Sequence, residues 1–392
     1  MKYIRTFLLT SVVLAMVGIA FAQTPAKPKV DIWTNPPKLD RKINLTQEQF
    51  QEQTQIFTEP SELHKNYGFT VRLPQSWKKQ DAGIGEGEVQ SGLSNALLVG
   101  LAAFTGPVSY EGQSSLRVKG QQLYRSTSAY NWMANYILDQ GYTLNGIAGL
   151  SHTRAEADYI VVLNGQSYLV RAVAIINAPH VILAEYMVPI SLSEKERSVQ
   201  VWSIGTLRPV AVSAGSIEPI EKYEYLDNFI FEYPASWIFQ PAIMRTSDRL
   251  EGKLLNVRGG RKKLEQLGYS RVILDGKIDF TVHAIKPELD LKKEITILRD
   301  ALKKDGFMIG DLLETRTNLR VHEGFPYQRT DIYKINNPGK NLLDHEYWVT
   351  LVKNDKHIIV LTMVTPGREQ DRSIWLNNID GFQEIIARLK PL

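Results

Sequence analysis

Seven histidines and no cysteine set the first limits on chemistry. Without cysteine the chain has no disulfide, no thiolate metal site and no cysteine nucleophile. His322-Glu323 and His345-Glu346 each open like the helical zinc-protease motif. Neither is followed by the second histidine, four residues after the first, that completes the ligand pair. Asp344-His345-Glu346 is the densest set of potential cation ligands, and its setting reads as a polar loop. No serine lies in a G-x-S-x-G elbow. Gly83-Ile-Gly85-Glu86-Gly87 has glycines in the manner of a phosphate cradle, but Glu86 and Glu88 would repel the anion. Arg258-Gly-Gly-Arg261-Lys262-Lys263 could hold an anionic head group or form a solvated turn. None of these is a complete catalytic or cofactor-binding set, so the sequence reads as a non-enzyme without metal or cofactor.

The chain around these residues has 392 positions, enough for two or three domains, with the apolar share (43%) and charged share (22%) of a globular protein. Its excess of 46 basic over 42 acidic side chains is too small to imply a nucleic-acid partner. Residues 1–22 read as a signal peptide: Lys2 and Arg5 precede a mostly apolar run, and Ala20-Phe21-Ala22 fits the cleavage pattern. That predicts export, and a chain of this size without cysteine points to a bacterial periplasm. No later apolar stretch approaches the ~20 residues of a membrane span. Residues 23–60 follow as a Pro-rich arm and short helix. Pro25, Pro28, Pro36 and Pro37 favour extended backbone, and Thr46-Gln-Glu-Gln49 has capping-box form, predicting a helix through about Phe57. Trp33, within the arm, is a candidate anchor for another chain.

The rest of the sequence repeats. Tyr67-Gly-Phe69-Thr-Val-Arg-Leu-Pro74-Gln-Ser76-Trp77 aligns with Asp227-Asn-Phe229-Ile-Phe-Glu-Tyr-Pro234-Ala-Ser236-Trp237. Further along, Gly141-Tyr142 matches Gly306-Phe307, His180-Val-Ile-Leu matches His357-Ile-Ile-Val, and Leu207-Arg208-Pro209 matches Leu389-Lys390-Pro391. Four matches in one order, with growing offsets, predict two copies with insertions in the second. The first spans 61–209 and the second 222–392, joined by a linker over 210–221.

Each copy predicts the same elements. A strand ends at Pro74 or Pro234, where the missing N–H stops the ladder, and a tryptophan follows. A helix closed by Gly141 or Gly306 comes next, with Trp132, Met133, Tyr136 and Ile137 forming one face in the first copy. In the second, Asp290 is the expected cap and Leu291, Ile295, Leu298 and Leu302 the face. A three-strand meander then turns at Asn164-Gly165 in copy one, and a last helix carries Trp202 or Trp375. The fold class is α+β: two tandem copies of an antiparallel sheet flanked by helices.

This order resembles the PsbP-like α/β/α sandwich, a family that includes DcrB-type bacterial envelope proteins. The resemblance rests on Phe69, Pro74 and Trp77 and their partners Phe229, Pro234 and Trp237, all packing residues, and covers both domains. It implies a non-enzymatic module that docks on membrane-associated complexes. The expected function is a structural or docking subunit of an envelope assembly, for instance a peripheral component of a secretion apparatus. The alternative is a periplasmic ligand-binding protein or hydrolase using the groove between the domains.

Charge points to the part that docks. Residues 61–208 carry 23 charged side chains in 148 positions, whereas 218–392 carry 53 in 175. Interface cores are depleted of charge, so domain one is expected to be the more deeply engaged by other envelope proteins. Within it, residues 93–104 form an uncharged apolar run, either a core element or a docking segment with Leu97, Leu98, Leu101 and Phe104 as anchors.

Overall fold

The computed structural model describes residues 36–81, 87–89, 97–225, 229–241, 249–269, 271–285, 291–304, 306–317, 319–336 and 344–391. After an extended stretch, Thr46 caps a one-and-a-half-turn helix, α1 (Gln47–Glu52), with both halves of the capping box formed. The helix does not continue to Phe57. Thr54, Ile56, Phe57 and Thr58 are β-branched or aromatic, and as β1 (Thr54–Glu59) they pair with β2 (Phe69–Pro74). The first copy therefore begins at Thr54, seven residues before the position 61 expected from the repeat.

In chain order the first copy continues with β3 (Lys78–Gln80), β4 (Gly87–Val89), β5 (Leu97–Thr105), β6 (Ser115–Gln122), α2 (Ala129–Asp139) and β7 (Thr143–Ser151). It then has β8 (Arg154–Leu163), β9 (Gln166–Asn177), β10 (His180–Pro189), α3 (Ser193–Thr206) and β11 (Arg208–Pro209). The second copy has β12 (Ile220–Tyr225), β13 (Phe229–Pro234), β14 (Trp237–Pro241), β15 (Arg249–Val257), α4 (Gly260–Leu267), β16 (Leu274–Ala284) and α5 (Leu291–Lys304). It ends with β17 (Met308–Arg316), β18 (Tyr327–Asn336), β19 (His345–Lys353), β20 (His357–Pro366), α6 (Arg372–Ala387) and β21 (Leu389–Pro391).

The duplication holds in three dimensions. A small sheet is ordered β1-β2-β11 in one copy and β12-β13-β21 in the other. The large sheets run β3-β5-β6-β10-β9-β8-β7 and β14-β15-β16-β20-β19-β18-β17, with every described pairing antiparallel. In each, α2 or α5 lies on one face, and the small sheet with α3 or α6 lies on the other. The architecture is α+β, with two tandem antiparallel sheets flanked by helices. Both helix ends repeat in detail: Gly141 and Gly306 adopt φ of 67° and 88°, and Tyr142 N and Phe307 N bond the carbonyls of Ile137 and Leu302 at 3.1 Å. Ser128 caps α2 by accepting from Asn131 N; Asp290, the cap expected for α5, lies outside the described residues.

The core explains the sequence landmarks. Trp77 and Trp237 are 5% and 2% exposed, and β10, the central strand of its sheet, is buried along its whole length. Trp237 presses on α6 at Gly381, where an added Cβ would overlap the indole nitrogen and come within 2.9 Å of Cε2. Gly381→Ala should therefore destabilise the fold by about 1–3 kcal/mol through overpacking. Gly205→Ala, also in a helix but with nothing within 4 Å, should instead raise stability slightly through helix propensity. Thermal unfolding of the two variants should show shifts of opposite sign.

Candidate functional site

Of the proposed anchors, Trp33 lies outside the described residues and Leu97 begins β5, its side chain undescribed. Leu98, Leu101 and Phe104 are 1%, 9% and 0% exposed. Leu101 and Phe104 pack with Trp77, Tyr67 and Tyr186 in the core of copy one. They cannot present an apolar surface to another chain. From Leu97 the run is strand β5, and Leu98, Leu101 and Phe104 are core residues, not the docking anchors expected; residues 93–96 lie outside the described residues.

The two most exposed large apolar side chains of copy one lie immediately after that strand. The β5–β6 connection leaves Val108 79% and Tyr110 97% exposed. The loop is nonetheless held firmly. Ser109 and Gly112 exchange backbone hydrogen bonds at 3.1 and 3.2 Å, and Gln113 Nε2 donates to Gly106 O at 2.7 Å. Gln166 Nε2, next to the Asn164-Gly165 turn, donates to Glu111 O at 3.0 Å, and Ser191 Oγ donates to the same carbonyl. Gly112, at φ 121°, lies so close to Gln166 and Pro189 that a Cβ would meet both. Three loops are thus tied together at one end of the domain, where Val162, near the end of β8, and Ile190 are also exposed. Glu111 is the only charged residue in 106–114. The corresponding β15–β16 connection holds α4 and carries Arg258, Arg261, Lys262, Lys263, Glu265 and Arg271. Apolar residues in a Gly-Pro-Val-Ser-Tyr turn were the sequence signal for this surface. Arg258 and Arg261, considered above as an anion site, instead pair with Asp275 and Glu221 at 2.7 and 2.9 Å.

Two concavities lie elsewhere in the structure. Between the copies, a cavity of about 490 Å³ is lined by Ser128 and His152 from copy one and by Glu314, Arg316, Arg320 and Glu384 from copy two. Ser128 acts there as a helix cap, and the Arg316 guanidinium, bonded to Glu314 at 2.7 and 3.0 Å, holds that carboxyl below its ordinary range. Within copy two, a cavity of about 970 Å³ separates α5 from the sheet. Ile297, Leu298, Ala301 and Leu302 form its roof, and Gln240, Lys253, Asp279, Thr281 and Thr362 lie on the sheet below. Burial pushes the neighbouring Tyr347 hydroxyl up to about 12, so it stays a neutral hydrogen-bonding group.

The Asp344-His345-Glu346 set is dispersed by its strand. Successive residues of β19 face opposite ways, and Glu346 turns inward, accepting from Trp348 Nε1, Trp375 Nε1 and Arg368 Nε at 3.0, 2.8 and 2.7 Å. Among the described residues no group of three or more histidine or acidic side chains could hold a metal ion. No described helix is long and apolar enough to cross a membrane.

No protein-family model and no curated protein matches the chain. Solved structures similar to it include CyanoP, the PsbP of the cyanobacterium Synechocystis, at 14% identity and a TM-score of 0.30, covering 47% of this chain and all of that one. The Ran-binding protein Mog1p of Saccharomyces cerevisiae matches at 13% identity and 0.29, covering 44% of this chain and 95% of its own. A chain of the Tle4–Tli4 complex matches at 9% identity and 0.21, covering 86% and 97%. Scores this low leave the fold assignment to rest on the repeated strand order and helix placement described above.

Proposed function

We propose that the chain is a non-enzymatic structural and docking subunit of a bacterial envelope protein complex, for instance a peripheral component of a secretion apparatus. In this reading it is exported to the periplasm and built from two PsbP-like domains of the DcrB type. The single observation that carries docking is the tied loop end of copy one, where Val108 and Tyr110 stand in solvent on a rigid, almost uncharged surface. Exposed apolar groups on a preorganised loop lose little entropy on association, and an uncharged centre with an aromatic residue suits a protein interface. The partner this surface fits is a folded envelope protein offering an equally uncharged apolar patch. Few bases lie near the loops, which argues against an anionic lipid surface.

The test is the double variant Val108→Asp, Tyr110→Asp. Both side chains are exposed, so the melting temperature should stay within about a degree or two of the parent's, as for ordinary surface substitutions. Proteins that co-purify with the parent from detergent-solubilised envelopes should be lost. Retention of the same partners by a folded double variant would remove the docking assignment.

A further inference from the structure

The two copies differ most where they ought to be alike, in the space between the middle helix and the large sheet. Counting back from the terminating glycines, Trp132, Met133, Tyr136 and Ile137 of α2 correspond to Ile297, Leu298, Ala301 and Leu302 of α5. The two largest side chains of the first helix are thus replaced by isoleucine and alanine. The sheet loses two charged side chains and gains one aromatic, Tyr347 at the place of Val170. Strand register places Thr362 where copy one has Glu185, and Thr281 where it has Lys119.

In copy one these groups form a bonded cluster in that space. Tyr136 and Tyr159 donate to Glu185 Oε1 at 2.7 and 2.5 Å, Lys119 pairs with Glu185 at 3.3 Å, and Trp132 Nε1 donates to Gln121 at 2.9 Å. Burial, with the Glu185 carboxylate alongside, pushes both phenols well above their ordinary range. In copy two the same space is the cavity of about 970 Å³. The cleft opens to solvent, with Ile297 and Tyr269 42% and 57% exposed, and its volume lies at the upper end of small-molecule sites. Smaller side chains on the helix and charged groups lost from the sheet open this space in copy two, where its twin holds a bonded cluster, which marks the space as a site.

We propose that copy two binds a small amphipathic acid between α5 and its sheet. The walls state the chemistry. The roof of Ile297, Leu298, Ala301 and Leu302 is apolar, whereas the floor offers Gln240, Thr281, Thr362 and the Lys277–Asp279 pair. A ligand with one apolar face and one hydroxylated face matches both at once, whereas a plain acyl chain offers nothing to the polar floor. Glu251, Lys253 and Lys304 also line the cavity; beside the Lys277–Asp279 pair the two exposed lysines outnumber the one carboxylate of Glu251, and they make no ion pair among the described residues, which supplies the counter-charge for an acidic group. The site is separate from the docking loops of copy one.

The probes are cholate, a carboxylate with one hydroxylated and one apolar face, and dodecanoate, a linear carboxylate, both titrated calorimetrically into the full chain below their micelle concentrations. Cholate should bind at least tenfold more tightly than dodecanoate. Ile297→Trp with Ala301→Tyr, which restores the side chains of copy one, should abolish that binding. Lys253→Glu with Lys304→Glu, changing exposed residues only, should weaken it at least tenfold without altering the melting temperature. The Val108→Asp, Tyr110→Asp variant should bind as the parent does, so failure of the docking reading and failure of this site are distinguishable. No heat with cholate, equal binding of both probes, or binding that survives the lysine reversal overturns the proposal.

Discussion

Replacing Arg171 with methionine should destabilise the protein by about 3 kcal/mol or more, because it leaves two buried carboxylates without their central partner. Arg171 is fully buried and bonds Glu156 Oε2 at 3.0 Å and Asp158 Oδ2 at 3.1 Å. Arg154 and Arg197 also reach these acids, at 3.3 and 3.1 Å, which keeps the expected loss at the lower end of the range for a broken buried pair. The effect should extend to the arm. Arg171 and Arg197 each donate to Asp40 O at 3.0 Å, and Ile147 N donates to Pro37 O at 3.2 Å. The arm also lies against Gly146, where any Cβ would come within 2.9 Å of Leu39 Cα and Lys38 O. Amide exchange over residues 36–46 should therefore quicken in Arg171→Met while the core strands of copy two stay protected. A loss below about 1 kcal/mol, with unchanged exchange in the arm, would mean that the cluster is not what holds it.

The second copy reaches the same end by different means, and this bears on what the sequence could tell. Register places Trp348 opposite Met363 and Ile332, as Arg171 stands opposite Tyr186 and Asp158. A buried ion cluster and a buried indole occupy the same place in one fold. Positions fixed by backbone demands were legible in both copies: the proline that ends a strand, the glycine with positive φ that ends a helix, and the tryptophan beneath them. Positions whose partners lie far away were not. Nothing near Arg171 in the chain distinguishes it from a surface strand arginine, since Asp40 is 131 residues distant. Residues 47–57 read as one helix because the capping box is local, while the pairing that makes 54–59 a strand comes from Phe69–Pro74. The most apolar run, 93–104, reads as a docking segment, but its Leu98, Leu101 and Phe104 belong to the core. The informative residues were Val108 and Tyr110, apolar side chains set in a turn, where solvent is the default.

Asp380→Ala should be the most disruptive change at the junction of the two copies. Asp380 lies on α6 and is 2% exposed, yet its partners all come from copy one. Thr127 Oγ1, Ser128 N and Asn131 Nδ2 donate to its carboxylate at 2.9, 3.0 and 2.7 Å. A side chain of the second domain thereby satisfies the start of α2 in the first. Removing it strands three donors, at a cost of about 2–4 kcal/mol. The junction retains Glu218, which accepts from Ser126 N and Ser236 N at 2.7 and 2.8 Å, and the Arg125–Asn256 contact at 3.3 Å. The domains should stay joined but lose cooperativity: calorimetry is expected to show one unfolding transition in the parent and a broadened or split one in the variant. The pH dependence carries a second signature. Burial pushes the Asp380 carboxyl up, and the bonds from Ser128, Asn131 and Thr127, with His152 nearby, only partly pull it back. Above the ordinary carboxylate range of roughly 4, the folded state therefore holds more proton at this site than the unfolded chain does. Its contribution to stability is complete below that range and is lost as pH rises through the elevated folded value. Unfolding measured against pH should show that decline in the parent and not in Asp380→Ala. An identical slope in both proteins, with a single sharp transition in the variant, would show that Asp380 does not couple the domains.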